Sequence, residues 1–148
     1  MMTDAQNLFA DALAITATGL ATNVIDLGAV REIGQGEPMG VAILVDVAAD
    51  AGNGDETYAF GIETDDNAAL SSPTVSATRT IARADLTAGS LHVIPISPAE
   101  AIAFQRYLGV RATLGGTTPS ITYTAWLTPL NMVAGRAKVY PDGFTISA

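Results

Sequence analysis

Few residues in this chain are chemically equipped for catalysis or metal binding, and their spacing argues against most such uses. The single histidine, His92, lies in Leu91-His92-Val93-Ile94, flanked by apolar neighbours. A zinc site or an activated nucleophile needs further imidazoles or carboxylates at ligand spacing, so His92 reads as an ordinary strand residue. Asp65-Asp66 is a carboxylate pair, but adjacent residues on an extended chain point to opposite sides and cannot converge on one substrate. Asp50, Asn53 and Asp55 share a glycine-bearing turn whose spacing departs from the Asp-x-Asp/Asn-x-Asp/Asn-Gly calcium loop. That turn reads as solvated. No serine sits in a Gly-x-Ser-x-Gly elbow, and the absence of cysteine removes disulfides, thiolate catalysis and cysteine–zinc sites together. A cupin-like enzyme would need a His-x-His and carboxylate set that one histidine cannot supply. The expectation is no enzymatic activity, no catalytic residue, no cofactor and no metal.

The 148 residues have the length of one domain with a real core. Hydrophobic residues make up 49% and charged ones only 15%, an apolar balance that suggests surface buried against partners. The net charge of −8 leaves no basic stripe to neutralise phosphates, which argues against a nucleic-acid partner. The N-terminus lacks a basic region before its apolar residues, so Leu8 to Ala21 does not read as a signal peptide. No apolar run approaches the roughly 20 residues needed to span a bilayer, and a soluble protein made in the cytoplasm is expected.

Alternation and turn signals divide the chain into about eight strands. Residues 1–11 read as a polar arm, either a frayed terminus or a segment whose Leu8-Phe9 pair docks on a neighbouring subunit. Residues 12–128 read as the sandwich: Ala12 to Thr18, Thr22 to Asp26, Val41 to Val47, Tyr58 to Ile62, Thr74 to Ile81, Leu91 to Ile94, Gln105 to Leu114 and Ser120 to Leu127. Val41, Ile43, Val45 and Val47 are expected to face the core, with Leu44 on a second, partly covered face. Asn53-Gly54 predicts a hairpin between the third and fourth strands, and Gly115-Gly116-Thr117-Thr118-Pro119 another between the last two. The threonine row Thr74, Ser76, Thr78 and Thr80 is expected to be wet. Trp126 lies opposite the Ile121 row, which turns it towards a partner or a small second cluster. Pro95 to Phe104 reads as a loop with one helical turn, and residues 129–148 as a C-terminal extension or extra hairpin.

The corner Arg31-Glu32-Ile33-Gly34-Gln35-Gly36-Glu37-Pro38 redirects the chain just before its most apolar strand. Gly34 and Gly36 permit a sharp turn, and Pro38 removes a donor. Arg31, Glu32 and Glu37 are expected to hold this corner by local hydrogen bonds or ion pairs, a structural role.

Several stretches carry a resemblance in their order along the chain: QNLFADALAITATGLATNVIDLG, REIGQGEP, DDNAALSSPTV, DLTAGS before a strand ending at Pro95, and QRYLGVRATLGG. Together, over roughly residues 5 to 128, they resemble the jelly-roll capsid cement (decoration) proteins of tailed bacteriophages, of the Bordetella-phage type. The resemblance implies an all-β, single-domain jelly-roll sandwich and a homo-oligomer, with no enzymatic activity. Its implied partner is a shell built from a major capsid protein with the HK97-type fold. It implies a place on the outer capsid surface of the virion, after synthesis in the host bacterial cytoplasm. The tail after Pro129 runs longer than that family's pattern. A two-fold dimer is the expected self-association, a trimer the next. Leu8, Phe9, Trp126 and Phe144 are the candidate interface residues, with Thr3 to Phe9 and Val133 to Phe144 as shell-contacting arms. The rival reading is a carbohydrate-binding β-sandwich of a phage tail or secreted protein, which would need a shallow aromatic platform drawn from Tyr58, Tyr107, Tyr123, Tyr140 and Trp126.

Overall fold

Strand β4 (Met39–Val47) is apolar on both faces, so its sheet is covered on both sides along this strand. The computed structural model describes residues 4–30, 33, 36–96 and 104–133. Before β4 come β1 (Leu8–Ile15), β2 (Gly19–Leu20) and β3 (Ile25–Asp26); after it come β5 (Thr57–Asp65), β6 (Thr74–Ile81), β7 (Leu91–Pro95), β8 (Tyr107–Gly115) and β9 (Ile121–Pro129). Short 3-10 turns occupy Ala5–Asn7, Arg83–Asp85 and Leu130–Met132, and the described residues contain no α-helix. One antiparallel sheet is ordered β1-β9-β4-β7; the other is ordered β2-β8-β5-β6, with β3 also beside β8. Strands β2 and β3 therefore form one interrupted edge. The chain changes sheets at nearly every connection, which is the eight-stranded jelly roll with one strand broken in two.

Two expected hairpins do not form. Residues 48–56, which contain Asn53-Gly54, carry the chain from one sheet to the other, and residues 116–120 do the same between β8 and β9. The reason is the centrality of β4: β7 and β9 already take its two edges, so β5 has nothing to pair with there. The hairpin that does form joins β5 to β6 across residues 66–73. The first strand also starts earlier than expected, at Leu8, within the stretch read as an arm. The second is split between Leu20 and Ile25. The expected helical turn after Pro95 falls in residues 97–103, and the expected C-terminal hairpin in residues 134–148; both lie outside the described residues.

The inner faces interdigitate as alternation requires. Val41, Ile43 and Val45 of β4 meet Tyr58, Phe60 and Ile62 of β5, Leu108, Val110 and Ala112 of β8, and Ile121, Tyr123 and Ala125 of β9. Val47 breaks the row and is 59% exposed. The β4–β9 register slips between Val45 and Val47, and such a bulge turns the following side chain to the other face. Phe60 and Tyr123 join the two sheets edge to face, with ring centroids 5.2 Å apart at 72°.

The Tyr123 hydroxyl is buried without a hydrogen-bond partner among the described residues. Burial pushes its ionisation up from 10.0 to about 12. Removing an unsatisfied buried group relieves its desolvation, typically about 1–3 kcal/mol. Tyr123→Phe is therefore expected to keep or raise stability at neutral pH. The unfolded chain releases this proton near pH 10 and the folded chain only near pH 12, so the wild type loses stability as pH rises through that window. The variant should lose less. Urea midpoints at pH 7 and pH 11 measure both effects, and a clear loss at pH 7 would show that the hydroxyl has a stabilising partner.

Candidate interaction surfaces

Asp55, Glu56 and Asp65 tie loops. At one end of the sandwich, the two crossing connections lie side by side. Glu56, buried at the start of the second sheet, accepts from the Asn53 and Gly54 amides at 2.9 and 3.0 Å and pairs with Arg83 at 2.7 Å. Burial would push its carboxyl up, but the two amides and the Arg83 guanidinium outweigh that and hold it below the usual range. Asp55 accepts from the Thr117 amide at 3.0 Å and its hydroxyl at 2.9 Å, which lower its carboxyl's pKa in turn. Asn53 Nδ2 donates to the Thr117 carbonyl and the Thr118 hydroxyl, both at 3.0 Å. Asn53-Gly54 thus acts as half of a clamp between loops.

At the other end, Asp65 holds its own loop. Its oxygens accept from the amides of Ser72 at 2.9 Å, Asp66 at 2.8 Å and Asn67 at 3.4 Å, and these bonds keep it ionised below the usual range. Asp66 is exposed and does not converge with it. Asp26 receives a bidentate fork from Arg106 at 2.9 Å for each bond, and the Gly28 amide adds a third donor. The fork and that amide lower its carboxyl to about 2. His92 faces the core on β7, with Nε2 3.1 Å from the Asp85 carbonyl and from the Ser90 hydroxyl. No group of three or more His, Cys, Asp or Glu among the described residues is placed to hold a metal ion.

The outer face of the β1-β9-β4-β7 sheet carries a second apolar cluster. Ala42, Leu91, Val93 and Trp126 pack there with Leu8, Leu44, Leu130 and Val133. After β9 the chain folds back across this face: Leu130 donates its amide to the Pro38 carbonyl at 2.8 Å, and Val133 is 1% exposed. Asn131 Nδ2 reaches Glu37 at 3.1 Å. Of the expected corner, Glu37 and Pro38 are therefore held by the segment after β9, Gly36 is exposed, and Arg31, Glu32 and Gly34 lie outside the described residues.

The candidate interface residues fare differently from expectation. Phe9 is 0% exposed and belongs to the main core. Trp126, at 5% exposed, fills the second cluster, the bland alternative of the sequence reading. Leu8 is half-buried beside it, and Phe144 lies outside the described residues. Leu8 and Phe9 are strand residues of β1, and Val133 is covered, so the inner ends of both supposed arms are built into the sandwich. Tyr58 and Tyr123 are buried as well, and among the described residues only Tyr107 of the expected aromatic platform is partly open. Alternation puts Arg79 in the row of Val75 and Ala77, opposite the threonines, but gives it no role. Its guanidinium crosses the open side of the sandwich to the Val93 carbonyl at 2.7 Å, tying β6 to β7. A charge at an inward position of an alternating strand was the available signal.

The model of the Bbp16 family, a family of Bordetella phage proteins, matches residues 9–127. The chain belongs to the Bbp16 family. No curated protein matches it. The Bbp16 match runs from Phe9 to Leu127, the first and last side chains of the main core, so what the family shares is the whole sandwich. Residues 128–148, including the segment folded back over Trp126, lie beyond it. Membership in Bbp16 makes this a bacteriophage protein with a β-sandwich fold.

Proposed function

We propose that this protein is a capsid cement protein, without enzymatic activity. It binds the outer surface of a phage shell built from an HK97-type major capsid protein, at junctions between subunits, and holds the shell against the pressure of packaged DNA. The observation that carries this reading is the Bbp16 match across the entire sandwich, joined to buried carboxylates engaged in the fold itself, Glu56 and Asp65 in loop closure and Glu63 in an ion pair with Arg111 between β5 and β8. The net charge of −8 supports an outer location, because a DNA-filled interior repels an acidic protein. A protein that binds only the assembled shell stabilises it by the free energy of that binding. Self-association, as a dimer first and a trimer next, places linked copies across neighbouring capsomers and adds avidity without new contacts. The carbohydrate-binding alternative draws no support from the buried aromatics.

The test compares particles depleted of the protein with decorated ones under heat or osmotic shock. Decorated particles are expected to retain DNA at higher temperature and through larger shocks. Equal retention in both would remove the cementing role.

A further inference from the structure

The jelly roll has four sheet edges, and three are blunted. Strand β1 carries two register shifts, with Ala12 in the left-handed region at φ 44° and its amide taken by the Thr124 hydroxyl at 2.9 Å. The β2–β3 edge is interrupted between Leu20 and Ile25. Strand β7 is short, ends in Pro95, and has its Val93 carbonyl occupied by Arg79. Such bulges, interruptions and prolines are how sandwiches keep edges from pairing with other chains. Strand β6 is the exception. It pairs only with β5, runs from Thr74 to Ile81, and stays in unbroken register from Ala77 to Ile81 after a shift near Ser76.

Charge singles out the same strand. In a chain of net charge −8, residues 68–84 contain no Asp or Glu and carry Arg79 and Arg83. Two acidic copies meet here without facing carboxylates. Arg79 is turned across the sandwich to Val93 and leaves the edge itself lined by threonine, serine and alanine. Val75, 51% exposed at the start of the strand, is the one large apolar side chain on β6 left open.

We propose that the free edge of β6 is the self-association surface, pairing antiparallel with β6 of a second copy about a two-fold axis. Two sandwiches then share one continuous sheet through backbone hydrogen bonds, an isologous contact in which each residue meets its own symmetry mate's neighbourhood. The inference rests on the self-association part of the proposed function and names its site.

The chain has no cysteine, so single cysteines report proximity cleanly. Ser76→Cys, Thr78→Cys and Thr80→Cys are made in the full chain, with Ala14→Cys on the exposed β1 edge as control. Under mild oxidation a disulfide-linked dimer is expected from at least one β6 position, because facing residues near a two-fold lie within disulfide reach, and none from Ala14→Cys. Ala77→Pro and Thr78→Pro are the second arm. Amides alternate sides along a strand, so one of the pair removes a free-edge donor while leaving the β5 ladder intact. That variant, identified by an unchanged circular dichroism spectrum, is expected to weaken association about tenfold in sedimentation analysis, since the two-fold doubles each lost bond. Association that persists at wild-type strength in the folded proline variant, with no β6 cross-link, overturns the edge assignment and leaves cementing intact. A chain that stays monomeric at every concentration overturns the inference too, while the depletion experiment judges cementing separately.

Discussion

Trp126→Ala is expected to lower folding stability by about 3–5 kcal/mol, the usual range for removing a large buried aromatic. The indole is 5% exposed and is the largest side chain of the outer cluster, packed with Ala42, Leu91, Val93 and Val133. This cluster sits on the opposite side of the β1-β9-β4-β7 sheet from the main core, so its neighbours have no second layer into which to collapse. The segment after β9 is held there by the Leu130 amide on the Pro38 carbonyl and by the cluster itself. Losing the indole should loosen both together. A guanidinium denaturation midpoint measures the loss. An unchanged midpoint, with any defect confined to shell binding, would restore Trp126 as an interface residue.

Gly116→Ala is expected to cost about 2–5 kcal/mol. Gly116 has φ +92°, where an L side chain adds about 1–2 kcal/mol of strain. A Cβ there would also stand 2.5 Å from the Asp55 carbonyl oxygen and 2.7 Å from Glu56 Cα. Both are backbone atoms that cannot rotate away, so the two crossing loops must separate, and overpacking of this kind adds about 1–3 kcal/mol. Separation would break the Thr117–Asp55 and Asn53–Thr118 bonds of the clamp. Gly89→Ala supplies the control: its φ is +81° with nothing within 4 Å of the added atom, so only the strain applies. The difference between the two midpoints isolates the collision. Equal losses would mean the loops can part freely.

Local pattern determined a good deal about this protein. Alternation of Val41, Ile43 and Val45 against Ala42 and Leu44 marked a strand covered on both faces, because side chains on a strand alternate whatever pairs with it. Thr78 and Thr80 were legible as a wet face for the same reason, but the bulge at Ser76 parts Thr74 from them and turns Val75, 51% exposed, onto their face. The divergence of Asp65 and Asp66 was also legible, since adjacent residues on an extended chain point apart. Pairing was not. Asn53-Gly54 favours a tight turn, yet which strand β4 accepts as neighbour depends on β7 and β9, residues far along the chain competing for the same edges. Tertiary structure alone therefore decided that Asn53 ties two loops and that Glu56 and Arg83 meet. It also decided that Phe9 enters the core, because the edge that β9 offers to β1 begins opposite Leu8. Trp126 shows the boundary between the two. Its face followed from alternation, but whether another molecule or this chain's own Leu130 and Val133 covers that face is settled only where the backbone turns after Pro129.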